Sequence, residues 1–317
     1  MQYESWWKAW GCVSLPRYAA VGVLAVVLMT GGCSPRRYAV NTIGDVLASG
    51  GSLYESDEDL VLIGDALPFS LKLIESLLAE SPNHRGLLLS ATRGFVLYAY
   101  AYVHDEAEYL ARDDVQRARV LRDRARRLYL RALRYALRAL AHAYPGFAEQ
   151  LSAQPHVAVQ RIGMHAADQE TPFVYWTAVA LGLAIAVSKN EPAMLARLPE
   201  VEALLERALT LHEAWNAGAL HEFTITWMAA RGARGDPEAI RRHYERALTL
   251  SHGRRASVHV AYAEAVALPN QDRAAFVALM HKALAVDLEA DPEYRLLNMI
   301  AQRRARRLLE RIDELFL

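Results

Sequence analysis

Cys33 is the residue whose surroundings most clearly predict a chemical modification. An apolar run covers Ala19–Met29, the small segment Thr30–Gly32 follows it, and the basic residues Lys8 and Arg17 lie upstream. A basic segment, an apolar segment and small residues before a cleavage point make up a signal peptide. Small side chains let an extended backbone enter a peptidase cleft, and a cysteine directly after the cut supplies a thiol that can be acylated. We therefore expect cleavage before Cys33 and lipidation of its thiol.

This order of segments is typical of a bacterial lipoprotein signal, although Thr30 stands where leucine is usual. The alternative is a membrane-spanning helix with an incidental cysteine, but the apolar run is shorter than the roughly 20 residues that a span needs. The sequence thus predicts a signal peptide over 1–32 and one mature domain over 33–317. Ser34, rather than aspartate, follows the cysteine. This favours a lipid anchor in the inner leaflet of the outer membrane, with the domain in the periplasm.

The chain lacks the motifs of common catalytic and metal sites. It contains no Gly-Lys-Ser/Thr phosphate loop, no Gly-x-Ser-x-Gly nucleophile motif and no His-Glu-x-x-His zinc motif. The pair His221-Glu222 has Ile225 where the second zinc-binding histidine would stand. Of the two cysteines, Cys12 falls in the signal peptide and Cys33 would be lipidated, so no thiolate remains for a metal or a disulfide. We predict no enzymatic activity, no cofactor and no metal site.

Basic residues are concentrated on the helix predicted over 114–143. They recur every seventh position as a ridge, which we call the basic ridge: Arg117, Arg124, Arg131 and Arg138. The ridge could dock an acidic partner, contact anionic lipid headgroups, or form a solvated face paired with neighbouring aspartates. Over the whole chain, 36 Lys and Arg balance 36 Asp and Glu. This balance and the expected periplasmic location argue against nucleic-acid binding.

The composition of the chain and its helix-start signals predict an all-α fold. Ala, Leu, Arg and Glu favour helices, and no alternating strand pattern of useful length occurs. Asp236-Pro237 and Asp291-Pro292 place a capping residue before proline, as at a helix start. The helices are expected over 36–50, 59–80, 84–106, 114–143, 147–153, 173–188, 199–213, 215–231, 237–251, 256–268, 271–287 and 292–315.

A short pattern recurs in the second half of the chain. The segments 206–211, 245–250 and 281–286 each carry an alanine at the third position, namely Ala208, Ala247 and Ala283. The spacing of about 36–39 residues is close to the roughly 34 residues of a tetratricopeptide repeat, where a small residue allows two helices to cross closely. We predict a tetratricopeptide-like helical-repeat solenoid of antiparallel helix pairs. The alternative is that the three segments are similar by chance, because many helices of this chain are rich in Ala and Leu.

Three predicted helices, 84–106, 173–188 and 215–231, are apolar on every face. Such a helix must be covered on all sides, so these helices either fill a closed core or line an apolar groove or tunnel. Their aromatic residues are candidates for either role: Phe95, Tyr98, Tyr102, Trp176, Phe223 and Trp227.

Together these features resemble the TatT lipoproteins, the tetratricopeptide-repeat T component of TRAP-type transporters. The resemblance extends over nearly the whole mature chain and is carried by the segments 48–51, 57–61, 66–72, 94–101, 126–132, 175–176, 218–221, 246–253 and 301–305. It implies an all-helical, lipid-anchored periplasmic protein that forms a homotrimer with a tunnel in each subunit.

The same resemblance implies two partners. One is a periplasmic solute-binding protein, the P component, and the other is a hydrophobic or amphipathic small molecule held in the tunnel. It adds Phe69 to the tunnel candidates Phe95, Tyr98, Tyr102 and Trp176. The alternative function is a tetratricopeptide scaffold lipoprotein that binds peptides in cell-envelope assembly. That function predicts a polar concave face rich in Asn and Lys, and the aromatic content argues against it.

Overall fold

The computed structural model describes residues 35–49, 54–231 and 236–316, and within these ranges it contains helices and turns but no strands. Cys33 and the predicted signal peptide lie outside the described residues. The α-helices are α1 (Pro35–Ser49), α2 (Leu60–Glu80), α3 (Arg85–Ala99), α4 (Asp105–Tyr109), α5 (Val115–Ala143), α6 (Phe147–Ala153), α7 (Pro155–Gln160), α8 (Ala167–Ala186), α9 (Pro192–Leu195), α10 (Leu198–His212), α11 (Ala219–Ala230), α12 (Pro237–Ser251), α13 (Ala256–Tyr262), α14 (Arg273–Leu284), α15 (Arg295–Glu310) and α16 (Ile312–Leu315). The predicted all-α class is confirmed.

Aspartate caps begin several of these helices. Asp59 accepts hydrogen bonds from the first backbone N–H groups of α2, at 2.8 Å from Val61 and 3.0 Å from Leu62. Asp236 does the same for α12, where Pro237 is the first helical residue, as predicted. These caps satisfy N–H groups that have no partner inside the helix.

The largest differences between predicted and observed helix starts are those of α8 and α11. Helix α8 begins at Ala167 and contains Pro172, whereas the prediction used this proline as a stop. Helix α11 begins at Ala219 rather than at 215, because Asn216 and Ala217 adopt left-handed φ angles of 48° and 47°. A left-handed pair cannot continue a right-handed helix.

Two π-turns interrupt the helical backbone. The first π-turn (Tyr100–His104) joins α3 to α4, and the second (Ala263–Ala267) continues α13. Each adds one residue to a helical turn and re-aims the side chains that follow, and such turns occur frequently at functional sites.

The main core lies among α3, α5, α8 and α10, which pack on one another in chain order. Helix α8 is buried along nearly its whole length, as expected for a helix that is apolar on all faces. A second cluster joins α13, α14 and α15. No helix in the described ranges is long and apolar enough to span a bilayer.

The alanines of the recurring pattern are fully buried. Ala208, Ala247 and Ala283 have 0% exposure and lie on α10, α12 and α14. A Cβ atom added at Gly218 would lie only 3.1 Å from the Ala247 Cα atom. The turn before α11 thus packs directly on the backbone of α12, which requires a small residue at position 247.

The C-terminal helix connects the two halves of the described chain. Helix α15 packs on α13 and α14 and also contacts α2. Its Arg304 and Arg307 form ion pairs with Asp105, at 3.0 and 2.9 Å. The first and last parts of the described chain therefore meet, and the helices between them surround an internal space.

Candidate ligand cavity

A cavity of about 950 Å³ lies between the two halves of the described chain. We call it the central cavity. Its volume is at the upper end of the roughly 300–1,000 Å³ typical of ligand sites. Its wall is formed by α3, the first π-turn, α8, the turn Trp215–Gly218, α11, α13, the second π-turn and α15. The larger apolar and aromatic residues in this wall are Leu89, Val96, Leu97, Tyr100, Tyr175, Trp176, Val179, Leu183, Trp215, Phe223, Val260, Tyr294, Leu296, Leu297 and Ile300.

An aromatic cluster forms one side of the central cavity. The Tyr175 ring lies 4.9 Å from the Trp215 ring, 5.0 Å from Trp176 and 6.3 Å from Phe223, measured between centroids. Phe223 can pack closely on α8 because residue 182 is glycine, where an added Cβ would lie 2.9 Å from the Phe223 ring. These rings present a rigid apolar surface that includes polar N–H and O–H groups.

Three guanidinium groups lie in the wall, and each is paired with a carboxylate: Arg93 with Glu55, Arg255 with Glu222 and Arg304 with Glu264. The Arg255–Glu222 and Arg304–Glu264 distances are 2.9 and 2.6 Å. Pairing is the condition under which charges are retained in a poorly hydrated wall. The central cavity is therefore polar at three places without carrying an isolated cation there.

Three other titratable side chains of the wall, those of Tyr100, Tyr175 and His104, are neutral at pH 7. Burial raises the pKa of Tyr100 to about 12 and also raises the pKa of Tyr175. Burial lowers the pKa of His104 to about 4, in spite of the opposing effect of Glu108. The phenols are consequently hydrogen-bond donors at neutral pH, and the imidazole is uncharged.

Two of the predicted tunnel residues line the central cavity, namely Trp176 and Phe223. Trp227 lies behind α8, in the wall of a separate cavity of about 220 Å³. Phe69 is on the surface of α2 with 74% of its area exposed, because it lies away from the face that buries Leu67 and Leu71. The structure places neither Phe69 nor Trp227 in the central cavity.

Phe95, Tyr98 and Tyr102 occupy the face of α3 and the first π-turn that packs on other helices. Phe95 is 4% exposed and stacks on Tyr135 of α5 at 6.0 Å. Tyr98 and Tyr102 stack at 5.7 Å, and Tyr102 donates a hydrogen bond to the Leu60 carbonyl. These three residues are outside the lining of the central cavity.

The opposite face of α3 lines the central cavity instead, through Val96, Leu97 and Arg93, and Tyr100 continues this face. Sequence reasoning did not select these residues. One signal was present, because Arg93 is the single charged side chain between Gly86 and Val103. A lone charge in an apolar helix indicates a buried pair or a polar site. No comparable signal marked Arg255 or Arg304.

The basic ridge is partly used inside the fold. Arg131 forms a two-pronged ion pair with Glu75, and Arg138 donates to the Pro82 carbonyl. Arg124 is exposed but donates to the Tyr98 hydroxyl at 3.0 Å. Arg117 is exposed. The ridge therefore offers its N-terminal half, not its full length, to a partner.

Within the described ranges, no group of three or more His, Cys, Asp and Glu side chains could hold a metal ion. His221 instead takes part in a hydrogen-bonded chain with His243 at 2.8 Å and Glu213 at 3.2 Å. The Arg246 guanidinium also donates a hydrogen bond to the Glu213 carboxylate, with 2.8 Å between Nε and Oε1. This network joins α10, α11 and α12 and has a structural role.

Comparison with known proteins agrees with this arrangement. A family model described as TRAP transporter T-component, TAtT, matches residues 56–316, a range that contains every helix of the cavity wall. The chain is also similar to an uncharacterized protein of Treponema pallidum (strain Nichols), with 30% identity over 309 residues that cover 92% of this chain and 96% of that protein. The chain belongs to the TRAP transporter T-component family.

Proposed function

We propose that this protein is a lipid-anchored periplasmic component of a TRAP transporter, which docks a solute-binding protein and shelters a hydrophobic or amphipathic ligand in the central cavity. Membership of the T-component family supports an accessory role in such a transporter. The observation that carries ligand sheltering is the cavity of about 950 Å³ with its aromatic wall.

The anchor, the assembly and the repeat class belong to the same proposal. The segment before Cys33 supports cleavage and lipidation, and Ser34 supports an outer-membrane location. We further propose a homotrimer, on the family resemblance, and a tetratricopeptide-like repeat, on the buried alanines of α10, α12 and α14. Light scattering on the purified domain measures its mass and so tests the proposed homotrimer.

Ligand sheltering is tested by filling the central cavity. Ala261 lies in the wall on α13, and Ala261→Trp places a large side chain inside. Residues 34–317 are purified, and co-purified small molecules are extracted and analysed by mass spectrometry. We expect an apolar molecule in the parent protein and its loss in Ala261→Trp.

The matched control is Ala274→Trp, because Ala274 is exposed on α14. This variant should retain the molecule. Reproducibly empty parent protein that also fails to bind added apolar probes would contradict the proposal. Equal retention by Ala261→Trp would place the ligand elsewhere.

A further inference from the structure

We infer that the ligand of the central cavity is an uncharged amphipath whose polar end accepts hydrogen bonds, such as a hydrocarbon that ends in a carbonyl or hydroxyl group. This inference rests on the proposed function, because it names the chemical class of the molecule that the cavity shelters. The wall contains two kinds of polar group: charged side chains that are paired with each other, and neutral donors that have no partner.

The cations of the wall are already neutralised by the chain itself. Arg255 is 5% exposed and is bound by the Glu222 carboxylate and by the Asn216 carbonyl at 3.0 Å. Arg304 is bound by both Glu264 and Asp105. A ligand carboxylate beside either guanidinium would add a further negative charge to a group that is already neutralised, at a cost in desolvation.

Arg93 is the cation nearest to the aromatic cluster. Its guanidinium lies 6.0 Å from the Trp176 ring centroid and is paired with Glu55. Its side chain is 42% exposed towards the cavity, whereas Glu55 is 26% exposed. The pair thus presents polarity to the ligand without net charge.

Four neutral donor groups of the wall are unpaired. Tyr175 and Tyr100 have hydroxyl groups, and Trp176 and Trp215 have indole N–H groups; none of these four makes a hydrogen bond within the described ranges. An indole nitrogen can only donate, and Tyr175 is just 8% exposed. All four residues line the central cavity, and none of their polar atoms is among the buried atoms without a partner. These donors are therefore reachable from the cavity, and a ligand acceptor can pair with them without introducing charge.

The experiment compares two probes of the same shape. Palmitic acid is ionised at neutral pH, and the methyl ketone in which a methyl group replaces its acidic hydroxyl is not. Both are offered together to delipidated residues 34–317, and bound probes are quantified by native mass spectrometry. We expect the ketone to bind at least about tenfold more tightly than the acid. Equal or tighter binding of the acid would overturn the inference while leaving ligand sheltering intact.

A variant with an unpaired cation in the wall should bind the charged probe better. Glu55→Gln removes the carboxylate from Arg93, and because that guanidinium is partly exposed to the cavity the fold should tolerate the change. We expect the affinity for palmitate to rise about tenfold and that for the ketone to stay unchanged. The control is Glu293→Gln, at an exposed position on the cavity rim, which should change neither affinity. No gain of palmitate binding by a folded Glu55→Gln would contradict the inference.

The donor cluster is tested by Tyr175→Phe, which removes one hydroxyl and keeps the ring. We expect several-fold weaker binding of the ketone, with circular dichroism and melting temperature unchanged. Unchanged ketone affinity would exclude this hydroxyl as a recognition group. Binding of neither probe to the parent protein would contradict ligand sheltering itself, and so separates the failure of the proposed function from that of the ligand class.

Discussion

Arg304 donates hydrogen bonds to Asp105 at 3.0 Å and to Glu264 at 2.6 and 3.1 Å, and so connects the two π-turns across the cavity wall. Asp105 directly follows the first π-turn, and Glu264 belongs to the second. Arg303 reaches the same region, where it donates to the Ala101 carbonyl. The two π-turns are therefore joined through α15 by charged groups in and beside the wall of the central cavity.

Asp105→Asn should destabilise the closed arrangement. The carboxylate is 3% exposed and is shared by Arg303, Arg304 and Arg307. Removal of its charge leaves Arg304 with Glu264 and Arg307 with Glu106 as the remaining carboxylates. Because this breaks a largely buried ion-pair network, we expect a loss of about 3–5 kcal/mol. Urea denaturation followed by circular dichroism measures the change. Asp313→Asn, which affects an 84%-exposed partner of Arg273, should change the unfolding free energy by less than about 1 kcal/mol. Equal effects of the two substitutions would contradict a closing role for Asp105.

Ala247→Glu should unfold or strongly destabilise the domain. Ala247 is fully buried against the turn at Gly218, so the new carboxylate would have neither water nor a cation. We expect a loss of at least about 3 kcal/mol, measured by thermal melting. Ala274→Glu, at an exposed position in the first turn of α14, serves as the control. An unchanged melting temperature for Ala247→Glu would show that the recurring alanines are not packing contacts.

Stability should fall as the pH is lowered from about 6.5 to about 4. Burial lowers the pKa of His104, His243 and His259 from the ordinary value of 6.5 to about 4. Between these pH values the three imidazoles are protonated in the unfolded chain but not in the folded chain. Because the unfolded state binds more protons, lowering the pH favours unfolding. Denaturant titrations at a series of pH values measure the slope.

His259→Asn should flatten that slope. His259 is 8% exposed, and its Nδ1 atom shares a hydrogen bond of 2.9 Å with the Tyr244 hydroxyl. An asparagine amide has both a donor and an acceptor and can replace that bond. His156→Asn, on an exposed side chain, should leave the slope as it is. If the slope survives in His259→Asn, this histidine does not contribute to the pH dependence.

Cys33→Ser should release the protein from membranes, because the hydroxyl of serine does not replace the thiol that receives the lipid. Acyl chains contribute about 0.8 kcal/mol for each buried CH₂ group. Fractionation of cells into membrane and soluble periplasmic material measures the outcome. Ser34→Ala, one position further, should leave the protein on the membrane. A Cys33→Ser protein that still sediments with membranes would contradict lipid anchoring at this residue.

Arg117→Glu combined with Arg124→Glu should weaken capture of the proposed partner, a periplasmic solute-binding protein. These residues form the exposed half of the basic ridge, and reversal of charges at the edge of an interface slows association, by about tenfold or more at low salt. Surface plasmon resonance measures the rate. Arg119→Glu, on another face of α5, is the matched control. If the double variant and the parent protein associate with the partner at equal rates, the basic ridge is excluded as the docking surface.

Helix positions were largely readable from the sequence. The bounds of α5 and α12 lie within one residue of the prediction, because an aspartate cap and a periodic apolar stripe are local signals. The start of α11 was missed because the left-handed turn at Asn216 and Ala217 has no distinctive sequence. Pro172 is the sixth residue of α8 and lies beyond the first turn, where proline is tolerated. A local rule therefore predicts a helix end there, and the packing of α8 in the core overrides it.

The cavity wall depends on contacts between residues far apart in the chain. Phe95 and Val96 are neighbours, both apolar, and nothing in α3 alone indicates that Phe95 enters the core while Val96 faces the central cavity. That outcome follows from the packing of α5 on one side of α3 and from the position of α15 across the central cavity. Local patterns specified the helices and their apolar surfaces. The choice between a filled core and a hollow one required the assembled fold, because it depends on how surfaces distant in sequence fit together.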